Sequence, residues 1–217
     1  MSKRRRKTKP KPEDTRVTRR DFLTTTGLGA VGIAAAGGTT PSPAQAEATN
    51  TEIAAGEMVP VRLRINGFDH RLLVEARWSL AYVLRQQLGL TGTKLSCDRG
   101  ECGSCTVLIN EVPRYACMTL ALEAEGAEIT TLEGLMEGEQ LGTVQQAFLE
   151  QDAFQCGYCT PGQVISVEGL LRTNPSPDLD EIRTGVSGNL CRCGAYVNIF
   201  KAAQQAADLK AGKGGRS

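Results

Sequence analysis

The sequence predicts an α+β protein in which an N-terminal β-grasp domain precedes a C-terminal domain of four helices. From Val59 to Ile65 apolar and polar residues alternate, which is the period of a strand with one buried face. After residue 140 apolar residues recur at the spacing of amphipathic helices. All eight cysteines follow residue 96, and they fall into two groups of four, one in each predicted domain.

The N-terminal domain is predicted to open with a β-hairpin. Asn66-Gly67 is a strong hairpin-turn signal, and a second strand is expected over 69–74. A helix over 79–87, with Gly89 as its C-cap, is predicted from apolar residues on one face: Leu80, Val83, Leu84 and Leu88. Two short strands follow, over 106–109 and 128–131. This order of strand, hairpin, helix, loop and strand is typical of a β-grasp fold.

The C-terminal domain is predicted to contain four helices, near 142–152, 161–173, 179–185 and 195–209. Pro161 can occupy the first turn of the second helix, where its missing N–H costs nothing. Asp178 or Asp180 can cap the third helix. The last helix is expected to bury one face, formed by Val197, Phe200, Ala203 and Ala207.

The first cysteine group has the spacing of a plant-type 2Fe–2S site. Cys97, Cys102 and Cys105 are spaced C-x4-C-x2-C, and Cys117 follows. A helix or strand would point successive side chains apart, whereas a loop can converge four thiolates on one small volume. Gly100 and Gly103 allow the backbone conformations that such a loop needs. The four cysteines are therefore predicted ligands of one cluster.

The second cysteine group consists of two short motifs, Cys156-Gly157-Tyr158-Cys159 and Cys191-Arg192-Cys193. Both motifs lie at predicted helix ends, so the two turns can meet and enclose a second cluster if the helices fold back on one another. Disulfides are the default alternative in an exported protein, and zinc is another. Close cysteine pairs serve poorly as distant cross-links, and four-cysteine zinc sites usually contain two C-x2-C pairs.

Residues 1–46 resemble an export signal. They contain a basic segment, an Arg19-Arg20 pair typical of the twin-arginine route, an apolar run over 22–37 and an Ala44-x-Ala46 cleavage site. Cleavage would leave residues 47–217 with 15 basic and 21 acidic residues, a net charge of −6. An acidic mature protein does not favour nucleic-acid binding. The alternative is a basic tail or a nucleic-acid-binding arm.

Three motifs together resemble the iron–sulfur subunit of the xanthine oxidase family of molybdenum hydroxylases. They are the C-x4-C-x2-C-x11-C spacing from Cys97 to Cys117, residues 155–162 (QCGYCTPG) and residues 187–194 (SGNLCRCG). With the twin-arginine leader, the chain is most similar to the small subunits of periplasmic aldehyde oxidoreductases. The resemblance implies a plant-type 2Fe–2S ferredoxin domain over 59–135 and a helical 2Fe–2S domain over 141–210. Residues 47–58 are small and polar and are expected to form a linker, and residues 211–217 are expected to form a frayed tail.

The resemblance also implies partners and a direction of electron flow. A large subunit would hold molybdopterin cytosine dinucleotide, and a medium subunit would hold FAD. Electrons would pass from molybdenum to the helical-domain cluster, then to the ferredoxin-type cluster, then to FAD or another acceptor. Gln155 would contact the pterin, and Cys193 would be the cluster ligand nearest to it. No catalytic residue is expected in this chain, and the alternative is a free-standing two-cluster ferredoxin-like electron carrier.

Overall fold

A computed structural model of the protein describes residues 54, 56–136 and 138–212. The predicted leader, most of the predicted linker and the last five residues lie outside the described residues. Within the described part of the chain, none of the helices combines the length and apolar character needed to cross a membrane.

The N-terminal half forms one mixed sheet of five strands, and across the sheet the second strand of the chain is followed by the first, fifth, third and fourth. Asn66 and Gly67 join the first two strands with φ values of 52° and 82°, the left-handed pair that a tight hairpin turn requires. The third and fifth strands pair antiparallel, while the first and fifth pair in parallel. The strands are β1 (Met58–Ile65), β2 (Phe68–Glu75), β3 (Thr106–Ile109), β4 (Val112–Tyr115) and β5 (Glu128–Thr130).

The predicted helix after β2 is present but is not a regular α-helix. A single α-helical turn, α1 (Leu80–Tyr82), continues as a π-helix over Val83–Gln87. The predicted apolar face lies in the core of this half, because Leu80, Val83 and Leu84 are fully buried and the half-buried Leu88 packs against the same core. Within the wide turn, Arg85 donates to the carbonyl oxygens of Thr91 and Thr93, and this holds the loop that leads to the first cysteines.

The C-terminal half consists of four helices. Asp178 caps the third of them by accepting hydrogen bonds from the backbone N–H groups of Asp180 and Glu181. Pro161 lies in the first turn of the second helix, as predicted. The helices are α2 (Thr143–Glu150), α3 (Thr160–Thr173), α4 (Leu179–Gly185) and α5 (Tyr196–Lys210). Their common apolar core includes Val144, Phe148, Val167, Leu171, Ile182 and Ile199.

The predicted buried face of the last helix was wrong at Val197, whose exposed fraction is 66%. Steps of three residues drift around a helix that has 3.6 residues per turn. The predicted series Val197, Phe200, Ala203 and Ala207 therefore begins on the solvent side of the helix and ends on the core side. The face that α5 buries contains Ile199, Ala202, Ala203, Ala206 and Ala207.

Helix α3 packs against both halves of the described chain. It contributes to the helical core and also lies against β3 and β4. Gly169 permits this second contact, because a Cβ atom there would clash with the ring of Pro113. Helix α3, which begins beside the second cysteine group, thus packs directly against the two strands that flank the first cysteine group.

Candidate metal centres

The first cysteine group converges around one loop. Cys97, Cys102 and Cys105 lie between the π-helix and β3, and Cys117 lies in the turn after β4. The thiol of Cys97 interacts with that of Cys102, and the thiol of Cys105 interacts with that of Cys117. The charge of Cys102 also raises the pKa of Cys105, so the two pairs lie next to each other.

Backbone groups of this loop point inward at the sulfur of Cys97. Gly100 and Gly103 have φ values of 78° and 70°, so both predicted glycines adopt the left-handed conformation. The N–H of Glu101 donates to Cys97 Sγ at 3.3 Å. The N–H of Arg99 makes the largest contribution to lowering the pKa of Cys97 to about 7. The loop therefore stabilises a thiolate at this position.

The second cysteine group joins two turns that are distant in sequence. Cys159 is the N-cap residue of α3, with Cys156 three residues earlier, and Cys191 and Cys193 precede α5. The thiol of Cys156 interacts with that of Cys193, and the thiol of Cys159 interacts with that of Cys191. The N–H of Ala195 donates to Cys191 Sγ at 3.4 Å. The predicted meeting of the two turns is thus present.

Each site contains an inner thiol in an apolar environment. Burial raises the pKa of Cys105 to about 12, and burial likewise raises the pKa of Cys159 to about 12. A metal-binding cysteine must lose its proton, so binding at these positions releases protons and becomes stronger as pH rises. At the surface, the pKa of Cys156 is lowered, chiefly because the N–H of Tyr158 donates to its sulfur.

At each site the pKa values of the thiols depend on their neighbouring thiols, so the four cysteines lie close together. All eight cysteines are free thiols. Within residues 54, 56–136 and 138–212, no three His, Cys, Asp or Glu side chains form a group suited to a single metal ion. Four neighbouring thiols at each site suit a 2Fe–2S cluster, so the residues present fit two such clusters.

Five hydrogen bonds connect the two sites directly. The N–H of Leu190, next to Cys191, donates to the carbonyl oxygen of Cys102 at 2.9 Å. Asn189 Nδ2 donates to Gly103 O at 2.9 Å and to Thr106 Oγ1 at 3.2 Å. The other two bonds run from Tyr158 Oη to Leu95 O at 2.6 Å and from Tyr115 Oη to Gly188 O at 3.0 Å. The sequence indicates Asn189 and Leu190 only as members of the SGNLCRCG motif, because their contacts form between segments that lie far apart in the chain.

The second site opens to the surface on one side. Cys156 and Cys193 are exposed, as are the predicted pterin contact Gln155 and the residue between the last two cysteines, Arg192. Apolar side chains that surround this opening are also exposed: Phe154, Tyr158 and Leu190. The outer thiol pair is therefore accessible to another molecule.

Comparison with known proteins identifies both halves of the chain. Residues 63–132 match the family of 2Fe-2S iron-sulfur cluster binding domains, and residues 131–204 match the 2Fe-2S binding domain family. The aldehyde oxidoreductase iron-sulfur-binding subunit PaoA of Escherichia coli strain K12 is 41% identical over 214 residues, which cover 92% of each chain. The chain belongs to the iron–sulfur subunits of the xanthine oxidase family of molybdenum hydroxylases.

Other members of the family agree with this assignment. The nicotinate dehydrogenase small FeS subunit of Eubacterium barkeri is 42% identical over 150 residues, 69% of this chain and 96% of its own. The crystal structure of quinoline 2-oxidoreductase from Pseudomonas putida 86 contains a chain with 43% identity and a TM-score of 0.68, covering 73% of this chain and 99% of that one. Aldehyde oxidoreductase from Desulfovibrio gigas shows 39% identity and a TM-score of 0.69 over 72% of this chain and 18% of that chain.

These comparisons confirm the resemblance and the α+β fold class predicted from sequence. The chain is an electron-transfer subunit of a multisubunit molybdenum hydroxylase and contains two 2Fe–2S domains. The predicted twin-arginine leader lies outside the described residues.

Proposed function

We propose that this chain carries electrons out of the molybdenum-bearing large subunit of an aldehyde oxidoreductase, through its helical site first and its ferredoxin-type site second. The observation that carries the proposal is the hydrogen bond from Leu190 N–H to Cys102 O, since it links the two thiol sites by backbone atoms. The aldehyde substrate class follows from the name of the Escherichia coli relative, which matches 92% of its own length.

The eight cysteines are the proposed ligands, four for each cluster. A bound 2Fe–2S cluster supplies one-electron redox chemistry that no side chain of this protein can supply. One site consists of the pair Cys97 and Cys102 with the pair Cys105 and Cys117. The other consists of the pair Cys156 and Cys193 with the pair Cys159 and Cys191. Each pair would serve one iron.

The exposed side of the helical site is the proposed contact with the large subunit. Cys156 and Cys193 reach the surface there, beside Gln155. We assign Gln155 to a contact with the pterin of molybdopterin cytosine dinucleotide and Cys193 to the ligand position nearest that pterin. The exposed apolar residues around the opening support a protein partner, because apolar and aromatic side chains are enriched at interface centres.

The opposite end of the path is assigned to an electron acceptor, an FAD-binding medium subunit in the first instance. Met118 follows Cys117 directly, and its exposed fraction is 62%. Its side chain lies over Gly100 in the first cysteine loop. A partner seated on this surface would therefore approach the ferredoxin-type site.

The proposed location is the periplasm, reached in the folded state by the twin-arginine route. Residues 1–46 are assigned as the leader, 47–58 as the linker, 59–135 and 141–210 as the two cluster domains, and 211–217 as the tail. Replacing both Arg19 and Arg20 by Lys is expected to retain the protein in the cytoplasm with its clusters intact. Normal periplasmic accumulation of the double variant would contradict this assignment.

Co-purification tests the function as a whole. The tagged full-length chain is expressed with the genes beside its own, purified anaerobically and assayed for iron, sulfide and molybdenum. We expect about four irons per chain, a molybdenum-bearing partner and bleaching of the visible cluster absorption when an aldehyde is added. Recovery of the tagged chain alone with both clusters would instead favour the free-standing carrier. A native preparation without iron would contradict both functions.

A further inference from the structure

Asn189 occupies the junction between the two cysteine sites. It lies two residues before Cys191, and only 4% of its surface is exposed. Its Nδ2 group donates to the carbonyl oxygen of Gly103 at 2.9 Å and to Thr106 Oγ1 at 3.2 Å. Gly103 lies between the first-site cysteines Cys102 and Cys105. The amide therefore bonds directly to the loop of the first site.

The other polar groups of Asn189 bond to the helical side. Its Oδ1 accepts a hydrogen bond from Ser166 Oγ at 2.8 Å, and its backbone carbonyl oxygen accepts one from Gln163 Nε2 at 2.9 Å. Ser166 and Gln163 belong to α3, which begins immediately after Cys159. One residue thus connects the first-site loop to both segments that supply the second site.

The backbone segments around Asn189 are in close contact, so they have little room to move relative to one another. A Cβ atom added at Gly103 would lie 2.5 Å from Gly188 O and 2.7 Å from Asn189 Nδ2. A Cβ atom added at Gly162 would clash with Gly103 O. The first-site loop, the segment before Cys191 and the start of α3 therefore touch without intervening side chains. The amide of Asn189 is the side chain that bonds all three together.

The hydrogen bonds at this junction favour one fixed separation between the two cysteine sites. A buried polar group that loses its hydrogen-bond partner destabilises the structure, because water cannot replace the lost bond. Any shift that moved the sites apart would leave the Asn189 amide, Gly103 O or Ser166 Oγ buried without a hydrogen-bond partner. The same shift would lengthen the adjacent bond from Leu190 N–H to Cys102 O.

We propose that Asn189 is a positioning residue that fixes the separation of the two cluster sites and thereby sets the rate of electron transfer between them. The proposal rests on the proposed function, because it assumes that both sites hold 2Fe–2S clusters. It assigns Asn189 no contact with substrate or with the pterin.

The test compares variants within the co-purified complex. Asn189→Asp keeps the size of the side chain and the acceptor for Ser166 but removes both Nδ2 donors, and Asn189→Ala removes all three side-chain bonds. Ser166→Ala is the matched control, because it removes one buried hydrogen bond and leaves the bond to Gly103. Two readouts are used: the spin–spin splitting of the two clusters in the EPR spectrum after dithionite reduction, and the freeze-quench rate at which electrons reach the first site.

We expect both Asn189 variants to slow transfer between the sites severalfold, because electron transfer becomes steeply slower as the distance between the two clusters grows. The splitting should change as well, because dipolar coupling depends steeply on distance, while iron content stays at the wild-type level. Ser166→Ala should retain the wild-type splitting and remain within about twofold in rate. Wild-type splitting and rate in a fully loaded Asn189→Asp complex would overturn the proposal.

If both Asn189 variants lose their clusters, Thr106→Val decides the matter. It removes two bonds on the first-site side of the junction, from Asn189 Nδ2 to Thr106 Oγ1 and from Thr106 Oγ1 to Gly103 O, whereas Ser166→Ala leaves that side intact. A changed splitting in that variant supports the proposal, and an unchanged one refutes it. The EPR readout uses dithionite alone. A wild-type complex that aldehyde does not reduce would therefore contradict the proposed function while leaving the positioning role measurable.

Discussion

The two cysteine sites show two ways of assembling four thiols. The first site takes three of its cysteines from one nine-residue loop, and the fourth, Cys117, is 12 positions beyond Cys105. The second site takes its inner pair from Cys159 and Cys191, which are 32 positions apart. A compact loop can define a site by its own turns, whereas the second site exists only when α3 and the segment before α5 are packed together.

The two sites also differ in exposure. All four cysteines of the first site are buried or half-buried, whereas Cys156 and Cys193 of the second site are exposed. The site that depends more on distant packing thus presents two proposed ligands to the surface. This arrangement suits a site that a partner subunit covers, since the exposed side chains around it would be buried in the complex.

The largest expected effect comes from removing one buried cysteine from each site. Cys191→Ala and Cys105→Ala should each lower the iron content from about four to about two per chain. The cluster of the second site closes the longer loop, so its loss should cost about 1 kcal/mol more in loop-closure entropy than loss of the first cluster. Thermal unfolding of the two variants in the complex measures this difference.

The two variants control for each other, because both remove a buried thiol of the same size. Equal melting temperatures would contradict the view that the second site, with its longer loop, contributes more to stability than the first. Loss of all iron from either variant would show instead that the two clusters assemble cooperatively.

A second prediction concerns the close contact between the sites at Gly162. Gly162→Ala should push the start of α3 away from Gly103, because the added methyl group meets a backbone oxygen that cannot rotate aside. Overpacking of this kind costs about 3 kcal/mol, which lowers the melting temperature of a chain of this size by about 6–12 °C. Differential scanning calorimetry of the loaded protein measures the loss.

Gly185→Ala is the matched control for this prediction. A methyl group there meets only the flexible end of the Leu170 side chain. Alanine also favours a helix over glycine by about 1 kcal/mol, so the net change should be near zero. A melting temperature equally lowered in both variants would show that the contact at Gly162 does not set the distance between the sites.

The contrast between the sites explains which features the sequence could predict. The first site is encoded locally, so the spacing of Cys97, Cys102 and Cys105 and the glycines between them predicted both the loop and its chemistry. The hairpin at Asn66-Gly67 and the cap at Asp178 were predicted for the same reason. Each of these features depends on residues within a few positions of one another.

Features that depend on packing were missed or wrong. The apolar spacing predicted a helix from Ser79 but not its π-helical turn, which leaves the same leucines on the core. Val197 fits an apolar series, yet tertiary packing selects the face centred on Ala202 and Ala206. The bonds from Asn189 and Leu190 join segments more than 80 residues apart, so no local pattern indicates them.

A third prediction tests whether the second site depends on packing far from its cysteines. Glu168 is buried in the middle of α3, where Arg172 Nε donates to it at 2.9 Å and Lys210 Nζ at 2.8 Å. Arg172 also pairs with Glu111 in the turn between β3 and β4. Glu168→Gln should therefore cost about 2 kcal/mol at neutral pH and release iron from the second site before the first.

The effect of Glu168 should vanish in acid. Burial alone would raise the pKa of its carboxyl, but hydrogen bonds and charge from Lys210 and Arg172 outweigh burial and hold the pKa below its ordinary value. A carboxyl with a lowered pKa stabilises the folded state fully above its unfolded pKa, about 4.3, and loses that contribution as pH falls toward the folded value. Wild type and Glu168→Gln should thus converge in melting temperature on acidification.

Asp69→Asn provides the control, because the pair of Asp69 with Arg64 is mostly exposed and such pairs contribute about 0–1 kcal/mol. It should change the melting temperature little at any pH. A constant gap between wild type and Glu168→Gln across the acid range would contradict the ion-pair explanation and point to packing alone.

The smallest expected effect belongs to Tyr158, which links the two sites from the exposed side. Its hydroxyl donates to Leu95 O at 2.6 Å, so the turn between Cys156 and Cys159 is tied to the residues just before Cys97. Tyr158→Phe removes this bond and keeps the ring, at a cost of about 1 kcal/mol. Tyr82→Phe, at another exposed tyrosine, measures the effect of losing a surface hydroxyl. Because Asn189 and Leu190 still connect the sites, the EPR splitting of Tyr158→Phe should stay at its wild-type value. A splitting that changes as much as in Asn189→Asp would mean that the outer bond, not the buried amide, holds the two sites in place.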